Sequence, residues 1–164
     1  AQSINVGIPL ASLPVIGDTV LGGMKITAGY EESDTRVTNG YGKVGGTVAA
    51  VLPVGPLSIG YQKKGHQALD TGTATAEATK AFYKDDVLGI AYAINDDFAL
   101  SYNLYESAKH LHTTGEVEQE TKAINLAYTI GGLTLALQDA KTDNSGYSTG
   151  TSDDVRTISL KTAF

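Results

Sequence analysis

This chain of 164 residues contains no cysteine, which removes disulfide frameworks, thiolate metal sites and cysteine nucleophiles together. Arginine is almost as scarce. Arg36 and Arg156 are the only two, the net charge is -6, and no basic stripe exists to neutralise a phosphate backbone, so nucleic acid is not an expected partner. No run of about 18 apolar residues occurs, so a membrane-spanning helix is excluded and any membrane crossing must use strands. The chain opens on Ala-Gln-Ser instead of Met, which suggests that a signal peptide was removed or that chain lies upstream. Glycine (19 residues), tyrosine (nine), Thr, Ser and Ala are abundant against four prolines. This composition favours strands and turns, and the length suits one all-β domain over residues 1–164.

Period-two alternation is the dominant pattern, in segments of about ten residues, the length a tilted barrel strand needs to cross a bilayer. Ile124, Leu126, Tyr128 and Ile130 share one face, Gly131-Gly132 turns the chain, and Leu133, Leu135 and Leu137 return. Leu88, Ile90, Tyr92 and Ile94 repeat the design, with Asn95-Asp96-Asp97 as the turn and Phe98, Leu100, Tyr102 and Leu104 after it. So do Val48, Leu52 and Val54, a turn at Gly55-Pro56, then Leu57, Ile59 and Tyr61. Flanking strands are expected from Met24 to Tyr30 and from Ile158 to Phe164, eight strands over 24–164, with a possible ninth near 4–10 inside the connecting segment 1–23. Polar stretches at about 64–85, 106–121 and 141–154 read as long loops, opposite the short turns.

The face opposite the apolar one carries Thr27, Gly29, Thr47, Gly60, Gly89, Ala91, Ser101, Ala127 and similar small residues with almost no charge. A soluble barrel would expose Lys, Glu and Asp there. Small uncharged residues suit the inner wall of an antiparallel up-and-down transmembrane β-barrel, with Lys25, Gln62, Lys64, Asn103, Asn125, Gln138 and Lys161 as candidate channel-lining side chains. Tyr30, Tyr61, Tyr92, Phe98, Tyr102, Tyr128 and Phe164 fall on the apolar face, as a membrane girdle of aromatic residues would. The three lysines read equally well as strand-end anchors at the membrane surface.

The segment Ile158-Ser-Leu160-Lys-Thr162-Ala-Phe164 resembles the C-terminal strand of Gram-negative outer-membrane proteins. Its alternating apolar positions Ile158, Leu160 and Phe164 would be the assembly signal read by the barrel-assembly machinery. The stretch Met24 to Phe164, with its Ala-Tyr-Xaa-Ile, turn, Leu-Ser-Tyr hairpins, resembles the C-terminal half of alphaproteobacterial porins. That resemblance implies a homotrimer in the outer membrane of a Gram-negative bacterium, each barrel having roughly sixteen strands, through which ions and small hydrophilic solutes diffuse. The remainder of the barrel is then expected from upstream or cleaved chain, and outer-membrane lipids are the surrounding partners.

Other motifs carry less. Gly40-Tyr-Gly42-Lys-Val-Gly45 matches a dinucleotide fingerprint but leads into a strand instead of a helix. His110 and His112, beside Glu106, Glu116, Glu118 and Glu120, are weak metal candidates; a solvated acidic loop is the preferred reading. A catalytic triad is not expected, since the three histidines fall in expected loops. The pairs Asp85-Asp86, Asp96-Asp97 and Asp153-Asp154 read as loop and turn residues. The expectation is a passive channel, without catalysis or cofactor. The alternatives are a closed eight-stranded anchor or adhesin, which bulky inward residues would mark, and a soluble lipocalin-like binder.

Overall fold

The computed structural model describes residues 2–10, 20–33, 42–67, 81–111 and 115–162. They form one antiparallel sheet of nine strands in sequence order. The strands are β1 (Gln2–Pro9), β2 (Lys25–Ser33), β3 (Lys43–Val54), β4 (Leu57–Gln67), β5 (Ala81–Ala93), β6 (Phe98–Leu111), β7 (Gly115–Ile130), β8 (Leu133–Asp143) and β9 (Ser152–Thr162). Each pairs only with its chain neighbours, so the sheet is an open up-and-down meander whose edges are β1 and β9. The possible ninth strand near 4–10 is present as β1.

The turns fall where local chemistry demands them. Gly131 and Gly132 take φ of 55° and 81°, the left-handed pair that matches strand twist in a two-residue hairpin. Asn95 Oδ1 accepts from the backbone N–H groups of Asp97 and Phe98 at 2.9 and 2.8 Å, an Asx turn between β5 and β6.

At the opposite end the strands are longer than the apolar alternation suggests. β7 runs 16 residues and β6 runs 14, so most of 106–121, expected as a loop, is paired sheet. The other two expected loops shrink likewise, because β4 continues to Gln67, β5 starts at Ala81, β8 reaches Asp143 and β9 starts at Ser152. His66 and His110 consequently lie on strands, as do Asp85-Asp86 and Asp153-Asp154. The reason is that ladder hydrogen bonds are made by backbone, and polar side chains continue a strand once its neighbours hold the pairing.

Every strand sorts its residues onto two faces. The small face holds Thr27, Gly29, Thr47, Gln62, Gly89, Ser101, Asn125, Ala136 and Ser159, and the other holds Ile26, Val48, Ile59, Ile90, Leu100, Leu126, Leu135 and Ile158. Among the described strand residues those classed as buried, Gly45, Asp85, Ser107 and Ala123, all lie on the small face. The exposed large hydrophobic residues on strands lie on the apolar face, Val51 and Val155 excepted. Large exposed apolar side chains thus gather on one face, and the few buried strand residues on the other.

The apolar band is also slanted across the strands. Moving away from the turns, the first charged residue on that face is Glu32 on β2, Lys63 on β4, Asp86 on β5, Glu106 on β6, Lys122 on β7, Asp139 on β8 and Arg156 on β9. The register runs level from Lys25 through Val51, Gly60, Gly89, Asn103, Ala123 and Ala140 to Val155. Glu32 stands seven residues above Lys25 while Arg156 is one residue beyond Val155 toward the turns, so the boundary descends about one residue per strand, as sheared barrels require. With about 3.3 Å per residue and about 4.8 Å between strands, that is a tilt of about 35–40°. An edge drawn along this tilt is straight.

Candidate functional site

The small face is where the sheet concentrates polar groups that can meet a solute. Its middle is a ladder of cross-strand contacts: Gln62 Nε2 donates to Thr47 Oγ1 at 3.0 Å and Asn125 Nδ2 to Ser101 Oγ at 3.2 Å. Nearer the turns, the Thr129 and Thr134 hydroxyls pair at 2.9 Å. Once the slant is allowed for, Gln62, Asn103, Asn125 and Gln138 come to within about two residues of one level, although their register rows differ. Four of the candidate lining residues are thus drawn into one amide belt. Lys64 lies beyond it away from the turns, while Lys25 and Lys161 lie on its turn side. A hollow of about 360 Å³ opens on this face among Ala91, Ala99, Ser101, Gln138 and Ser159.

Away from the turns the small face carries a network that alternation in the apolar residues did not disclose. Asp85 is 5% exposed, and its Oδ1 accepts from Tyr105 at 2.9 Å and from Ser107 at 2.5 Å. His66 Nδ1 stands 3.5 Å from Asp85 Oδ2, and its ring stacks on Tyr83 with centroids 4.9 Å apart. Since Ser107 donates to Asp85, the Tyr147 hydroxyl donates to Ser107 Oγ, at 2.7 Å. Ser107 is thereby engaged by a carboxylate and a phenol, an arrangement unlike the serine on imidazole of an acyl-transfer triad.

Tyr147 reaches this network because the β8–β9 connection folds over the small face. Gly146 N–H donates to Gln119 Oε1 and Asn144 Nδ2 to the Glu118 carbonyl, each at 2.9 Å. The fold of this loop needs φ of 53° at Asn144 and 57° at Tyr147. For a bulky side chain the left-handed conformation costs about 1–2 kcal/mol, so the contacts of Tyr147 must offset it. They include Lys109, whose Nζ lies 5.6 Å from the Tyr147 ring and 5.9 Å from that of Tyr83. The parity of Tyr83, Asp85, Tyr105 and Ser107, continued from Val87 and Asn103, was the available signal.

On the apolar face the aromatic residues expected to form a girdle fall at two levels after the same slant. Tyr30, Tyr61 and Tyr102 lie toward the charged edge, and Tyr92, Phe98 and Tyr128 toward the turns, where Phe98 meets Tyr128 edge-on at 6.5 Å. The Tyr30 hydroxyl donates to Glu32 at 3.1 Å and that of Tyr61 to Asp86, so two of the upper phenols reach into the charged edge. Of the expected assembly signal, Ile158 and Leu160 are exposed on β9; Phe164 lies outside the described residues.

The weak metal candidates are not brought into a centre. His110 Nδ1 is 3.1 Å from Glu116 Oε2, His112 is outside the described residues, and no group of three possible ligands occurs among those described. Gly42 precedes β3 and Gly45 lies within it, so this end of the glycine-rich run meets a strand and not a helix. Comparison with protein-family models, curated proteins and solved structures gives no match.

Proposed function

We propose that this sheet is part of the wall of an outer-membrane β-barrel, with its apolar face toward lipid and its small face lining a passive aqueous path for ions and small hydrophilic solutes. The observation that carries the reading is the sorting of the sheet: large apolar side chains stand exposed on one face of every strand, and the few buried strand residues all lie on the other, small face. Across nine strands the apolar band is about eight residues tall along each strand, or about 20 Å after tilt, against a lipid-facing band of about 25 Å in known barrels. Its area is on the order of 1,100 Å², above the roughly 300–600 Å² of the largest apolar patch on an ordinary soluble monomer. The two aromatic tiers and the straight charged edge suit the interfaces of such a band.

Bilayer hydrocarbon does not tolerate unpaired strand edges, so β1 and β9 need partners. Both run toward the turns. An antiparallel wall joining them takes an odd number of further strands, and seven would give roughly sixteen. A second copy in the same orientation offers the same polarity at both edges and does not complete the wall. Small residues across the small face argue against the closed eight-stranded anchor, whose interior side chains must fill the lumen. The test is conductance of the native detergent-extracted protein in planar bilayers. Stepwise ohmic channels are expected, and silence in bilayers that conduct with a control porin would refute the reading.

A further inference from the structure

Resting on that channel reading, we infer that the path favours anions, although the chain as a whole is acidic. Alternation has sorted the charges. On the described strands, the apolar face carries nine carboxylates against five cations, whereas the small face carries five lysines against three carboxylates. The net charge of -6 is therefore not the charge of the small face, whose described strand residues sum to +2 while those of the apolar face sum to -4.

Of the three small-face carboxylates, one is cancelled by a lysine on the same face. Asp85 is 5% exposed, with Tyr105 and Ser107 on one oxygen and His66 near the other. Glu31 is paired with Lys43 at 2.9 Å. Asp85, whose hydroxyl donors are neutral, and Asp153, opposite Thr142, remain as negative charges. Against these two stand four lysines, Lys25, Lys64, Lys109 and Lys161, none of which forms a salt bridge among the described residues. Lys109 keeps its full charge over the rings of Tyr83 and Tyr147, since a cation–π contact neutralises nothing. Lys64 and Lys109 lie beyond the amide belt, and Lys25 and Lys161 lie at the turn end, so an ion meets a positive tier at each end of the path. In a low-dielectric wall such fixed charges bias which ion enters, and at about 0.1 M salt they act over about 10 Å.

The experiment is the reversal potential of the native detergent-extracted protein in planar bilayers under a tenfold KCl gradient. The expected sign is that of chloride permeating better than potassium. A Lys25→Gln/Lys64→Gln double variant should move the potential toward zero or past it. Lys63→Glu, adjacent in sequence but on the apolar face, should leave it unchanged. A conducting protein with a potential at zero or of the potassium sign overturns the inference and leaves the channel reading standing. Equal shifts from Lys63→Glu and the double variant overturn the assignment of charges to faces. Absence of conductance overturns the channel reading itself, and this inference with it.

Discussion

Arginine placed at adjacent positions of β7 should separate the two faces by free energy. Leu126 lies on the apolar face between Leu100 and Leu137 in the register. It stands near mid-height of the slanted band, with Ile124 above and Tyr128 and Ile130 toward the turn. At that depth an arginine facing hydrocarbon costs about 2–4 kcal/mol, falling to about 0–1 kcal/mol near the interfaces. Leu126→Arg should therefore shift the folding equilibrium in lipid by roughly 30- to 900-fold, at about 1.4 kcal/mol per decade. Ile130→Arg at the turn should cost far less. Ala127 sits on the opposite face between Ala99 and Ala136, lining the hollow of about 360 Å³, where an arginine has room and, on the proposed reading, water. The Ala127→Arg cost should stay near the range of about 0.5 kcal/mol usual for a change away from packed features. The assay is urea-driven unfolding of each variant from vesicles of defined composition. An Ala127→Arg penalty equal to or larger than that of Leu126→Arg would refute the assignment of faces.

The absence of cysteine makes single-cysteine labelling clean: Leu126→Cys should react with a lipid-soluble probe and Ala127→Cys with a water-soluble one. If neither probe reaches position 126, the apolar face is a packed interior and the membrane reading fails. Ser107→Ala removes the group that joins Asp85 to Tyr147 and should cost about 1–3 kcal/mol. Because Tyr147 is held at a positive φ, hydrogen exchange in the β8–β9 loop should rise more than elsewhere, and unchanged protection would show that the network does not hold the loop. Arg156→Ala should change stability by less than about 1 kcal/mol, because its pair with Asp139 is exposed at the charged edge of the apolar band and screened by solvent. A larger loss in urea titration would mean that this edge is shielded.

Period-two alternation is a local property, and it was sufficient to place the strands, the turns at Gly55-Pro56, Asn95-Asp97 and Gly131-Gly132, and the side on which Leu126, Tyr61 or Gln62 projects. Gly131-Gly132 also declared its turn, since few residues accept two successive left-handed conformations. Strand length was not legible, because apolar alternation stops where the polar ends of β6 and β7 begin, whereas backbone pairing continues to Leu111 and from Gly115. Nor was the meeting of Asp85, Ser107 and Tyr147, which lie far apart in the chain and come together only through the β5–β6 register and the fold of the β8–β9 loop. The common level of Gln62, Asn103, Asn125 and Gln138, and of each aromatic tier, also depends on register. Which residue stands beside which across a sheet is set by how each strand slides against the next, and a slide of two residues keeps every side chain on its own face and so leaves the alternation unaltered.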